Sequence, residues 1–416
     1  MCTKRSFHYL WIGQTLANCG DLFYIVGLIS ILYKATGSGT LMAFVPFVIT
    51  ISRFLGGIGA PWVIDRYPLR KILVYSQLAK SILLCIVSIY LLTLFQPDRV
   101  YFIFPLVALI AFLDGWATPA RNAILPRLIK SEDLIKANSF ISIVDQIVQL
   151  GGWPIGGMLV AIFNGGFLVA LTVILFFIST FMMAFIRDNE EKTVRASSTS
   201  KWNSLKEGWL AIWITPSLKT VAFIDFIDAI SNVVWIAAIL YLYVEDILHQ
   251  SEAWWGYINS TFFAGLILGG LLSFKRESFM KENSQFGICA GTLFVGIFTL
   301  SFGLSPFPLL SLFLSVLVGL ATQIKAISQQ TVIQLTSPDH LLPKVLSARD
   351  AIFTGAFGIS SLIFGYLAET YGVRTVFIIA ALLLTMSAIW GYFRKKYLKL
   401  EPAGSFKELH LRFQSK

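Results

Sequence analysis

The stretch FIDFIDAISNVVWIAAIL, residues 223–240, sets two carboxyl groups, an amide and an indole in an otherwise apolar run. Asp225, Asp228, Asn232 and Trp235 follow i, i+3, i+7, i+10 spacing, which is one face of a helix. Gln14, Asn18 and Asp21 follow i, i+4, i+7, and Asp145, Gln149 and Trp153 follow i, i+4, i+8. A charge at the centre of a bilayer costs about 2.5–3.5 kcal/mol on insertion scales, so each acid is expected to face a cavity or a partner. Such stripes suit an amphipathic or cationic ligand. The acid supplies charge, the amides orientation and the indole a stacking face. A carboxylate in a low-dielectric cavity can also bind and release a proton. Asp228 has the strongest case for that role. Asp225, one turn away, should repel it, so that the two titrate as a unit. Asp21 either lies at mid-membrane or caps a helix broken beside Gly20. The plainer alternative is that these groups only hydrogen-bond helix to helix.

Bases also fall inside apolar runs. Arg53 and Lys325 lie deep, where each would pair with an acid or bind an anionic ligand. Lys80 and Arg349 lie near enough to a run end to snorkel toward water. Cationic and anionic ligands therefore both stay open.

These stripes need helices to carry them. Of the 416 residues, 56% are hydrophobic and 13% charged, and mean hydropathy is +0.73. A soluble domain carries roughly 25% charged residues, so most of this surface faces lipid. Runs of about 20 apolar residues match the hydrocarbon thickness as helices. Twelve are expected, near 10–33, 41–64, 72–95, 100–120, 138–163, 166–186, 219–244, 254–274, 286–304, 307–330, 345–368 and 374–393. With both termini cytoplasmic, 25 of the 33 Lys and Arg fall inside, and only Lys34, Arg99 and Arg374 fall outside. That asymmetry follows the positive-inside rule. The net charge of +10 thus reads as topology, and no nucleic acid is expected as partner. The first run is too long for a cleaved signal peptide. Four cysteines and four histidines lack any paired or clustered spacing, so neither a metal nor a cofactor is expected.

The longest polar stretch, RDNEEKTVRASSTSKWNSLK at 187–206, divides the runs six and six. The halves echo each other at an offset of about 208 residues, which sets Ser139 on Ser347, Gly157 on Gly365 and Asp21 on or beside Asp228. Two parallel six-helix repeats with a site at their interface is a transporter plan. The expected units are a bundle over 1–186, a linker over 187–216, a second bundle over 217–393 and a basic tail over 394–416. Within the linker, Trp202, Leu205, Trp209, Ile212 and Trp213 form one apolar stripe, expected to lie flat on the inner leaflet. The glycine-rich runs 151–157 and 265–270 favour close helix packing rather than a phosphate loop.

Residues 59–74, GAPWVIDRYPLRKILV, hold Asp65, Arg66, Arg70 and Lys71 between the second and third runs. This knot resembles the loop signature of the major facilitator superfamily, with Pro61 and Pro68 in place of its glycines and Leu69 at its first basic position. The stretches 10–39 and 119–140 look like the twelve-span drug and siderophore exporters of that superfamily, the branch of macrolide-efflux proteins and the enterobactin exporter. The resemblance implies an all-α polytopic membrane protein with two pseudo-symmetric six-helix bundles. It implies that Asp65 braces the two halves, with the start of the eleventh run (Ser347 to Asp350, including Arg349) and Arg121 as partners. The leading expectation is a proton-coupled secondary exporter of a small amphipathic compound, acting as a monomer in the cell membrane. A siderophore, metallophore or lipid-like metabolite is the alternative cargo. A non-transporting membrane scaffold or sensor is the alternative of another class. No nucleophile–base pair or metal constellation supports an enzyme.

Overall fold

The computed structural model describes residues 2–36, 39–93, 97–187, 201–235, 237–251 and 253–399. The linker over 188–200 and the tail beyond 399 lie outside them. The described residues are helical nearly throughout. The helices of the first half are α1 (Cys2–Thr36), α2 (Gly39–Ile64), α3 (Leu69–Thr93), α4 (Ile103–Leu128), α5 (Leu134–Phe163) and α6 (Gly165–Ala184). Then come α7 (Lys201–Ile214), α8 (Pro216–Ser231), α9 (Ala237–Asp246), α10 (Ala253–Lys275), the short α11 (Glu277–Glu282), α12 (Ser284–Leu304), α13 (Pro308–Thr336), α14 (Leu342–Tyr371) and α15 (Val373–Phe393). Eleven described helices are long and apolar enough to cross a membrane unaided.

The twelfth expected run, 219–244, is not one continuous helix. It consists of α8, a 3-10 turn over Asn232–Trp235, and α9. No proline or glycine marks the break. Trp235 therefore leaves the helical register of Asp225 and Asp228. Its ring instead packs among Phe262, Phe302 and Phe377, with centroids 5.6, 4.8 and 6.2 Å away. Asp21 shows the opposite outcome. Helix α1 runs unbroken through Gly20 and Asp21, so Asp21 caps nothing.

The repeat is visible in the backbone. Helix α14 begins and ends 208 residues after α5, from Leu134 to Leu342 and from Phe163 to Tyr371. The residue joining α5 to α6 is Asn164, with φ 91°; its counterpart between α14 and α15 is Gly372, with φ 85°. An L side chain rarely takes such a φ. Glycine does so freely, and asparagine tolerates it when its side chain bonds locally. Here the Asn164 carboxamide oxygen accepts from the Phe167 N–H, capping α6. Close helix crossings also recur. A Cβ on Gly56 would strike the Phe112 carbonyl and one on Gly115 the Arg53 carbonyl, so α2 and α4 meet backbone to backbone. Gly265 and Gly319 do the same for α10 and α13, against the carbonyls of Val316 and Phe262.

The two ends of the bundle differ. One end, here the basic end, holds the α2–α3 loop, the α4–α5 loop and the end of α15. Its core is shared by both halves: Ile64, Leu128 and Leu134 belong to one buried cluster with Leu341, Leu342 and Leu346. At the other end the core is divided. One cluster runs from Tyr24 to Phe176 within the first half, and another from Val233 to Ala380 within the second. At that end Ile162 of α5 and Leu362 of α14 are 63% and 78% exposed.

Helix α7 meets α8 at 104°, with Thr215 alone between them. It runs across the basic end rather than along the bundle. Its expected single stripe is divided: Ala211 and Ile212 are buried in the shared core, whereas Trp209, Leu210 and Trp213 are exposed. The side chains of Trp202 and Leu205 lie outside the described ones.

Candidate functional site

The α2–α4 crossing brings Arg53 beside Asp114, Nη2 to Oδ2 at 2.8 Å. Asp114 also accepts from Lys80 of α3, 2.5 Å from its Oδ1, and the same ammonium lies 3.1 Å from Asp21 of α1. Lys80 is 1% exposed, and its Nζ sits 4.7 Å from the Phe176 ring centroid. Four helices thus enclose two acids and two bases, a neutral cluster. The expected snorkelling of Lys80 is overturned, because two carboxylates satisfy its ammonium in the interior. Asp114 was not among the sequence candidates. The signal was present, an acid inside the apolar run 100–120, but no stripe of polar neighbours drew attention to it.

Nearer the basic end, the stripes on α1 and α5 meet. Gln14 Nε2 donates to Asn18 Oδ1 at 2.8 Å, and Asn18 Nδ2 donates to Asp145 Oδ1 at 2.7 Å. Arg121 of α4 stands 3.8 Å from the other Asp145 oxygen, a loose pairing. Gln149 and Trp153 continue the α5 face toward the opposite end, where Trp153 is exposed.

In the second half Asp228 and Asp225 each have a base of their own. Asp228 of α8 pairs with Lys325 of α13 at 2.8 Å, both nearly sealed from solvent. Asp225 takes two nitrogens of Arg349, at 2.5 and 3.1 Å, and Arg349 also donates to Gln330 at 3.0 Å. The two acids, one turn apart on α8, thus each hold a different cation. Arg349 also differs from its expected role, since it serves Asp225 rather than Asp65. Asn232 begins the 3-10 turn beyond this pair.

A cavity of about 220 Å³ lies between the halves on the basic-end side. Trp11, Gln14, Arg121 and Asp145 line it from the first half, Gln330 and Arg349 from the second. On its wall, Asn138 of α5 donates to Thr331 and Gln334 of α13, and Gln334 donates to the carbonyl of Asn122.

Asp65, at the end of the same basic face, pairs across the halves with Lys344 in the first turn of α14, at 2.6 Å. Lys344 also takes Glu207 of α7, at 2.5 Å. The partner of Asp65 is thus Lys344, just ahead of the expected Ser347–Asp350 stretch on α14, and Arg121 is engaged elsewhere. Lys344 had been legible only as a topology charge. Of the other loop bases, Arg70 donates to the Ala184 carbonyl at the end of α6, at 2.6 Å. Arg66 lies 5.0 Å from the Trp62 ring centroid, and Lys71 is exposed.

A family model described as transmembrane secretion effector matches residues 2–410. The MFS-type transporter YfmI of Bacillus subtilis (strain 168) is 29% identical over 95% of this chain and 98% of its own. The multidrug efflux pump Tap of Mycolicibacterium fortuitum is 23% identical over 96% of this chain and 98% of its own. Among solved structures, a bacterial homologue of the iron transporter ferroportin in an outward-facing state superposes with a TM-score of 0.77. It is 14% identical and covers 94% of this chain and 99% of that one, a likeness of fold.

Proposed function

This chain belongs to the transmembrane secretion effector family of major facilitator transporters, and on that premise we propose that it exports a small amphipathic compound by proton-coupled alternating access. The observation that carries the proposal is the cavity of about 220 Å³ between the halves. Its wall offers an indole, amides and charges of both signs, and both halves contribute. A ligand held there touches both moving parts, which alternating access requires. The efflux function named for Tap supports the direction of transport.

In this reading the basic end faces the cytoplasm and is closed, and the opposite end is open. The shared core at one end and divided cores at the other support that assignment. Asp65 and Lys344 form the lock: the pair bridges the halves and must break before the basic end can open. The carboxylates of Asp21, Asp114, Asp145, Asp225 and Asp228 each have a cation partner, and proton binding to one of them would release that partner. One chain contains the whole site, so the monomer is the working unit. A metabolite bearing carboxylate or phosphate groups is the second cargo reading. Arg121, loosely held at 3.8 Å on the cavity wall, favours it.

The test is transport by purified protein in proteoliposomes under an imposed pH gradient, with a panel of cationic, zwitterionic and anionic amphipaths. Gradient-dependent movement of at least one class is expected. No movement of any class under either gradient polarity sinks the exporter reading. A reporter fused after Lys416 is expected to behave as cytoplasmic.

A further inference from the structure

Lys344 has two carboxylates, and the structure gives them different mechanical attachments. Asp65 belongs to the α2–α3 loop of the first half. Glu207 belongs to α7, which Thr215 alone joins to α8 of the second half. Helix α7 is also seated directly on α14. A Cβ on Gly208 would strike the Lys344 carbonyl, so only glycine allows this approach. The glycine brings α7 against the lysine's own backbone, and the neighbouring glutamate grips its ammonium. Lys344 is 4% exposed, and the second Asp65 oxygen, Oδ2, has no hydrogen-bond partner among the described residues. One ammonium thus serves two acids.

We propose that Glu207 is a positioning residue that travels with Lys344 and keeps it paired when the basic end opens. The inference rests on the alternating-access reading above. When the halves part, Asp65 leaves with the first half. Without Glu207, Lys344 would then be a half-buried cation with no counter-charge, which is expensive. With Glu207, the ammonium exchanges two partners for one. Glu207 also crowds Asp65 with like charge while the lock is shut. Both effects favour opening. Asp65 and Glu207, bound to the same ammonium, therefore push the gate in opposite directions.

The experiment measures the distance across the basic end by double electron–electron resonance between spin labels in lipid nanodiscs. Labels sit on cysteines placed at Glu132 and Asp339, both exposed, with Cys2, Cys19, Cys85 and Cys289 replaced by serine. Conditions are set so that closed and open populations are both visible. Asp65→Asn is expected to raise the open-to-closed ratio, and Glu207→Gln to lower it, each on the order of tenfold, the scale of one charged hydrogen bond. Glu207→Asp, which keeps the charge, should return most of the way to the unmodified ratio. A merely structural role for α7 would reduce folded yield without moving the ratio. If Glu207→Gln raises the ratio or leaves it unchanged while Asp65→Asn raises it, the lock stands and the role given to Glu207 fails. If Asp65→Asn leaves the ratio unchanged, the lock itself fails, and this inference with it.

Discussion

The two halves share one helical plan but neutralise their buried charge differently. In the first half, Asp114 sits between Lys80 and Arg53, and Lys80 sits between Asp114 and Asp21. Every member but the two at the ends has a second partner. In the second half, Asp228–Lys325 and Asp225–Arg349 are separate couples. A chain of charges can lose one link and re-form around the gap. A couple that loses one member leaves a lone charge in a low-dielectric site. The second half is therefore the more brittle, and the more suited to an all-or-none response to a single proton.

The largest expected effect tests that last point. Asp228→Asn should abolish pH-gradient-driven transport in proteoliposomes while counterflow of substrate partly survives. Asp225→Asn, which strands Arg349, should come next, and Asp21→Asn and Asp145→Asn should be milder. Unchanged gradient-driven transport in all four would make these acids structural.

Stability gives the next tests, read by thermal unfolding followed through tryptophan fluorescence in detergent. Lys325→Met strands the Asp228 carboxylate and should destabilise by about 3–5 kcal/mol. Adding Asp228→Leu should recover most of that loss, since an apolar pair of similar volume replaces an ion pair at little cost. If the double variant is no better than the single, Asp228 has another partner.

Asp114→Asn should fall lower, at about 1–3 kcal/mol. Lys80 keeps Asp21, and Arg53, whose side chain is 49% exposed, is only partly enclosed. The smallest effect is expected from Arg53→Gln, below about 1 kcal/mol, because Asp114 retains Lys80. A loss for Arg53→Gln as large as that for Lys325→Met would erase the contrast between the halves.

Much of this fold was legible because membrane helices must satisfy their own backbone and so announce themselves by length and apolarity. The offset of 208 residues was legible for the same reason: α5 and α14 have matching lengths and matching ends. The break at Asn232–Trp235 was not. It lies in a run with neither glycine nor proline, and it accompanies packing of Trp235 against Phe302 and Phe377, which no periodicity reports. The stripes on α1 and α5 predicted polar faces, and those faces do meet at Asn18 and Asp145. What no periodicity carries is pairing between helices. Lys80 finds acids 59 residues before it and 34 after it. Asp65 finds Lys344 most of the chain away. Such choices depend on which helices cross, and Gly56 and Gly115 set one of those crossings through their missing side chains.

The shared core at the basic end also bears on how the chain is made. Ile64, Leu128 and Leu134 are synthesised well before Leu341, Leu342 and Leu346, the residues that cover them. The nascent first half must wait in the bilayer with that surface facing lipid or an insertion chaperone. Its opposite-end cluster, from Tyr24 to Phe176, needs nothing from the second half and can consolidate at once. Biogenesis should therefore proceed from two sealed cups at the opposite end toward a late joining at the basic end. Two fragments divided within 188–200 and produced together should reassemble there. Each produced alone should keep its own cup and be degraded from the unjoined end.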